Sequence, residues 1–159
     1  MWKKIKPYVL SIALTLGIGG LSALITGKDM DIYQSVNTPP LSPPSWLFPV
    51  AWTVLYILMA ISFASVYTVR KKTAPADKSA NRLYIYNLIL NFFWSIIFFK
   101  LRAFAAAFLW LITLWAVILL MILNYKKTDK KASYLLVPYL LWVSFAGYLN
   151  AGIFLLNRS

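Results

Sequence analysis

Apolar residues gather in five long blocks, 7–26, 46–69, 83–99, 103–125 and 132–156, and every Asp, Glu, Lys and Arg falls between or beyond them. Each block holds 17–25 residues, enough for a helix to cross the hydrocarbon of a bilayer. In lipid a segment must satisfy its own backbone groups, so such blocks become helices. The pattern predicts an all-α integral membrane protein, one bundle of five transmembrane helices over residues 1–159, whose function rests on uncharged side chains.

The segments between the blocks refine this picture. Residues 27–45, GKDMDIYQSVNTPPLSPPS, form the only long stretch expected to be non-helical, and five of the eight prolines lie between Pro39 and Pro49. Tandem prolines favour extended polyproline geometry. A loop this long in a compact protein is usually functional or disordered. Its prolines and Tyr33 favour a fixed lid. Pro49 suits the first turn of helix 2. Only residues 100–102 join helices 3 and 4, which must then be antiparallel neighbours. Pro138 should bend or loosen the start of helix 5. Ala13, Gly17, Gly20 and Ala23 give helix 1 a smooth face for another helix or a flat ligand.

Charge sets the expected orientation. Twelve of the sixteen basic residues lie before helix 1, between helices 2 and 3, or between helices 4 and 5, all on one side of a five-span bundle. The positive-inside rule puts that side and the N-terminus in the cytoplasm, and the C-terminus and proline-rich loop outside the cell membrane. The net charge of +12 is thus a rim facing anionic lipid, and no nucleic-acid partner is expected. Helix 1 follows lysines as a signal peptide does, but its apolar run is longer than an h-region and lacks a small-x-small site.

Composition removes whole classes of chemistry. The chain is 61% hydrophobic and 13% charged, with mean hydropathy +0.70, and has neither Cys nor His. No disulfide, thiolate, imidazole base or haem-type axial ligand exists. The four acids, Asp29, Asp31, Asp77 and Asp129, all lie in loops. Metal sites, cofactors, proton relays and hydrolase or transferase chemistry are not expected. Recognition of an apolar or amphipathic molecule remains.

Polar side chains within the spans are few. Asn87, Asn91 and Ser95 share one face of helix 3, with Trp94 beside them. Trp142, Ala146 and Asn150 share a face of helix 5, and Trp52 and Tyr56 a face of helix 2. Such faces point into the bundle, either as interhelical hydrogen bonds or as a ligand site. Trp2 and Trp46 suit the bilayer interfaces. Trp52, Trp94 and Trp142 offer flat surfaces and N–H donors. Trp110 and Trp115 suit lipid contact or dimer packing. Loose sterol-type patterns recur too often here to carry weight.

Three segments in order, PPLSPPSWLFPVAWTVLYILM at 39–59, NFFWSIIFF at 91–99 and VPYLLWVSFAGYLN at 137–150, resemble the TspO/translocator protein family, also called tryptophan-rich sensory proteins or peripheral-type benzodiazepine receptors. The resemblance covers nearly the whole chain and looks like a bacterial member. It implies a five-helix bundle that commonly forms a homodimer. It implies binding of porphyrins such as protoporphyrin IX, and of synthetic isoquinoline carboxamide or benzodiazepine-type ligands, under the loop after helix 1. It also implies light-dependent porphyrin degradation. The implied ligand-binding residues are Tyr33, Trp52, Asn91, Ser95, Trp142, Ala146 and Leu149, with Trp52 and Trp142 in the photochemistry. Indole is readily oxidised, which suits a radical route without acid–base residues, and the lack of His and Cys favours metal-free porphyrin. Tyr148 has no basic residue within five positions, so the sterol motif of animal members is incomplete. Three functions are open at this point: a porphyrin sensor or scavenger, a transporter of porphyrin or other lipophiles, and a ligand-regulated membrane scaffold.

Overall fold

A computed structural model describes residues 2–29 and 31–158, with Lys3 by its backbone alone. Its helices are α1 (Trp2–Thr26), α2 (Ile32–Ser35), α3 (Leu47–Thr73), α4 (Ser79–Ser95), α5 (Phe104–Lys126), α6 (Lys130–Tyr134) and α7 (Val137–Leu156). Among the described residues five helical stretches are long and apolar enough to span a bilayer, α6 and α7 together making the fifth. The protein is a multi-pass membrane protein.

The expected spans are recovered with shifted ends. Helix 1 begins five residues before the apolar block, because lysines at a helix end can continue the helix into the headgroup region. The last span is broken at Leu135 and Leu136, just before Val137 and Pro138. Pro138 has no N–H to give the Tyr134 carbonyl four residues back, and its ring crowds that carbonyl, which explains the break. After Ser95 the chain widens into a π-turn, Ile96–Lys100, before the tight connection to α5. Arg102 in that connection takes φ 52°, which lets so short a link reverse the chain. The loop after α1 is not wholly irregular, since it contains a 3-10 turn, Gly27–Asp29, and α2.

Packing closes a ring: α1 lies on α3 and α4, α5 lies between α4 and α7, and α6 and α7 return to α3. The inward stripe of α5, Ala107, Leu111, Leu114, Ile118, Met121 and Tyr125, alternates steps of four and three residues, as one face of a helix requires. On α1 the buried face is hydroxylic: Ser11, Thr15, Ser22 and Thr26. The Ser11 hydroxyl donates to the Ala60 carbonyl at 3.0 Å, the Tyr84 hydroxyl donates to the Ser11 carbonyl at 3.1 Å, and Thr15 also bonds Tyr84. The glycine that matters on α1 is Gly19 rather than the expected Ala13/Gly17/Gly20/Ala23 row. A Cβ at Gly19 would sit 2.4 Å from the Tyr56 ring, whereas Gly17 and Gly20 have open space.

At the end that carries the basic loops, Arg70 ties three spans together. Its Nε donates to Thr128 Oγ1 at 2.8 Å, Nη1 to Ser79 Oγ at 2.8 Å, and Nη2 to the carbonyl and side-chain oxygens of Asn124 at 2.9 and 2.8 Å. Asp77 lies 3.0 Å from Nη1. Nearby, Asp129 caps α6, accepting from the amides of Lys131 and Ala132 and from the Ser65 hydroxyl at 2.6 Å. The Ser65 hydroxyl, then those amides, hold the Asp129 carboxyl below the usual carboxylate range; hydrogen bonds from Ser79 do the same for Asp77.

Candidate functional site

The inner faces of α1, α3 and α4 diverge above the Gly19–Tyr56 crossing, towards the proline-rich loop. There they enclose a cavity of about 220 Å³. Trp52, Asn91 and Ser95 are on its wall, as the sequence suggested. Ser22, Phe48, Thr53, Tyr56, Trp94 and Phe99 are there too. The hydroxyls at Ser11, Thr15, Ser22 and Thr26, spaced by four and seven, were the sequence signal that α1 turns a polar face inward.

Aromatic rings fill the space beside the cavity. Trp52 lies 5.8 Å from Trp94, 5.7 Å from Tyr56 and 6.2 Å from Tyr139, while Trp94 stacks on Phe98 at 5.3 Å. Tyr33 stacks on Phe48 at 4.8 Å, and Phe48 meets Trp142 edge-on at 6.0 Å. This arrangement separates the seven sequence-derived residues into two groups. Trp52, Asn91 and Ser95 line the cavity. Tyr33 is behind Phe48, Ala146 and Leu149 are buried in the core, and Trp142 borders a groove with Ala51, Leu55 and Phe145. Spacing places side chains on a helix face; it does not reveal that Phe48, which lines the cavity and touches Trp142, stands between the two groups.

The polar groups of this region are incompletely bonded. Asn91 Nδ2 donates to Asn87 Oδ1 at 2.8 Å and also bonds Tyr139, whose hydroxyl reaches Asn87 Oδ1 at 3.1 Å. Asn150 Nδ2 donates to the Phe104 carbonyl at 2.8 Å. Yet Ser22 Oγ, Asn87 Nδ2, Asn91 Oδ1, Trp94 Nε1, Trp142 Nε1 and Asn150 Oδ1 are buried without a partner. Each such group costs about 1–3 kcal/mol in a packed interior. By contrast Trp110 and Trp115, expected at lipid or a dimer contact, spend their N–H groups within the bundle: Trp110 on the Leu90 carbonyl at 2.8 Å and Trp115 on Ser144 Oγ at 2.9 Å.

The loop is fastened to α7 at three points. Asn37 and Asn157 exchange hydrogen bonds, Asn37 N–H donating at 2.9 Å and Asn157 Nδ2 returning one at 2.8 Å. The Tyr148 hydroxyl donates to the Pro40 carbonyl at 2.8 Å. Pro39 packs on Gly152 so closely that a Cβ there would be 2.6 Å from its ring.

This architecture has known relatives. The sequence matches the TspO/MBR family over residues 11–156. The chain belongs to that family. It is 38% identical over 158 residues to the tryptophan-rich protein TspO of Chlorobaculum tepidum, covering 99% of each chain. It is 38% identical to the protein of that name from Archaeoglobus fulgidus, covering 94% of this chain and 95% of the relative. It is 31% identical to the translocator protein of Ovis aries, covering 91% and 88%. The family assignment drawn from the three motifs therefore stands.

Proposed function

We propose that the protein is a membrane receptor or sensor that binds porphyrins, protoporphyrin IX among them, and other flat lipophilic ligands at the proline-rich end of the bundle. The observation that supports this best is that three residues lining the aromatic-walled cavity, Ser22 on α1 and Asn91 and Trp94 on α4, each carry a buried polar atom without a partner. A ligand with its own polar groups supplies the missing partners; apolar packing cannot. Family membership fits a membrane sensor or receptor that takes lipophilic ligands.

The cavity of about 220 Å³ exceeds the roughly 150 Å³ that accommodates benzene, and falls short of the roughly 300–1,000 Å³ of pockets for drug-sized ligands. A tetrapyrrole needs more room. Swinging Phe48 and Tyr139 aside would join the cavity to Trp142, Ala146 and Leu149 and bring the two groups of residues into one site. In that joined site Trp52 and Trp142 stack on the macrocycle, Asn91 and Trp94 bond its polar atoms, and Tyr33 with the loop forms the lid. Bound there and illuminated, the excited porphyrin takes one electron from the Trp52 or Trp142 indole, and dissolved dioxygen is the oxidant that then accepts electrons from the porphyrin and opens its ring. The proposal carries a homodimer in the cell membrane, with the basic end in the cytoplasm and the proline-rich end outside.

The test is protoporphyrin IX titration of the purified protein, followed by illumination and product analysis, for the parent and for Trp52→Phe, Trp142→Phe and Trp115→Phe. Binding is expected to weaken by about 1–2 kcal/mol in the first two variants, the scale of one hydrogen bond and some packing. Degradation at saturating porphyrin should fall much further, and Trp115→Phe should match the parent. Equal degradation by all four proteins would reduce the role to passive binding; no saturable binding would remove it.

A further inference from the structure

The cavity has three closed sides and one open side. Beneath it α1 and α3 are sealed by the Gly19–Tyr56 contact and the Ser11–Ala60 hydrogen bond. Above it, Phe48 and Phe99, 6% and 7% exposed, separate it from a small vestibule under the loop, which also contains Asp31, Tyr33 and Ser45. The loop over that vestibule is itself fastened to α7 through Asn37, Pro39 and Pro40. The cavity wall from α4 and the π-turn, Asn91, Trp94, Ser95 and Phe99, is buried or half-buried. The exposed residues of the wall are Gly20 and Ala23 on α1 and Pro49 and Thr53 on α3. All four flank the gap between these two helices.

We propose that ligands pass between the cavity and the bilayer through this gap, without crossing the loop. Gly20 lies about 9 Å along the helix from Thr26, at 1.5 Å per residue, and so faces lipid chains in the half of the bilayer near the loop. The rim suits such a position. Gly20 and Ala23 are small, and among the described residues no atom beyond the adjoining turns of α1 stands within 4 Å of a Cβ added at Gly20. The Thr53 hydroxyl is spent on the Pro49 carbonyl of its own helix at 2.7 Å, so it presents no free polar group to hydrocarbon. The gap therefore selects molecules already dissolved in the membrane, slim enough to pass edge-on between two helices. The route rests on the ligand site proposed above for its purpose, but its existence can be tested without any ligand.

The full chain in phosphatidylcholine vesicles brominated on the acyl chains reports which indoles lipid can touch, since bromine quenches tryptophan at contact. Quenching relative to unbrominated vesicles is measured for the parent, Trp52→Phe, Gly20→Leu and the double variant. The parent should lose more fluorescence than Trp52→Phe, and that difference should vanish in the Gly20→Leu background, where the new side chain fills the gap. A Trp52 contribution that is absent, or unaffected by Gly20→Leu, would overturn the route; a second copy sealing this face would give the former. In stopped-flow mixing with vesicle-borne protoporphyrin IX, Gly20→Leu should slow uptake and release several-fold, while Asn157→Leu, which frees the loop from α7, should leave both rates alone. Faster exchange on freeing the loop, with none lost on filling the gap, would assign the passage to the loop. Failure of protoporphyrin to bind any variant would remove the ligand reading and leave the quenching result to decide the route.

Discussion

The two ends of this bundle are built on opposite principles. At the basic end every N–H direction of the Arg70 guanidinium meets an acceptor, and Asp129 accepts three hydrogen bonds. From the middle of the bundle to the proline-rich end, six buried polar atoms among the described residues have no partner and aromatic rings crowd a cavity. A stable protein satisfies its buried polar groups, and the exceptions call for an explanation. The difference fits the proposal made above: the basic end holds the helices together, and the other end is where we propose that ligand binds.

Breaking the basic end should therefore cost stability and spare the site. Arg70→Ala leaves Asn124 and Thr128 without the donor they share and Ser79 with Asn124 Nδ2 alone, and should destabilise by about 3 kcal/mol, the low end for breaking a buried charged pair because Asp77 can rehydrate. Thermal unfolding in detergent measures the loss; protoporphyrin affinity of the protein that remains folded should match the parent. A loss of affinity without a loss of stability would invert the assignment.

Next in size is the crossing beneath the cavity. Gly19→Ala drives a methyl into the Tyr56 ring and should cost about 2 kcal/mol, the usual penalty for overpacking. Gly20→Ala, one residue on with open space around it, should cost nothing measurable. Similar melting temperatures for the two variants would show that α1 and α3 are not locked there.

The smallest effect concerns Asp129. Removing the cap of α6 with Asp129→Ala should cost about 1 kcal/mol at neutral pH. Its carboxyl titrates lower in the folded protein than in the unfolded chain, so its contribution is complete above the ordinary carboxylate pKa. It fades as pH falls through the depressed folded value. The gap between parent and variant should close in that acid range; a gap that persists unchanged would mean that the carboxylate charge is irrelevant to the cap.

Orientation can be checked alongside. Cysteines at exposed Ala76 and Ser35, in a chain that has no other, should be labelled by an impermeant reagent on intact cells at position 35 alone. Labelling at 76 alone would reverse the assignment of the basic end.

What the sequence revealed followed from the physics that dominates each feature. The bilayer imposes one strong rule on length and polarity, so five spans and their approximate ends were legible from hydropathy alone. The Pro138 break was legible because proline acts locally. Arg70 was not: as one basic residue among five between helices 2 and 3, it looked like part of the cytoplasmic rim. Only the fold brings Asn124 and Thr128, distant in sequence, to its guanidinium. Gly19 was hidden for a similar reason, since a row of small residues shows which faces are smooth but not which one a Tyr56 ring occupies. On the cavity wall, Trp52, Asn91 and Ser95 stood out in the sequence because polar and indole side chains are rare in these spans. Phe48 and Phe99 were missed because phenylalanine in an apolar block carries no signal of its own.

The most direct measurement of the contrast between the ends is amide hydrogen exchange of the full chain in lipid vesicles, with and without protoporphyrin IX. Ligand should slow exchange in 16–26, in 31–56 and in 91–99, and leave 65–82 and 120–133 unchanged. Slowing confined to the basic end, or none at saturating porphyrin, would contradict the division of the molecule into a fastened end and a binding end.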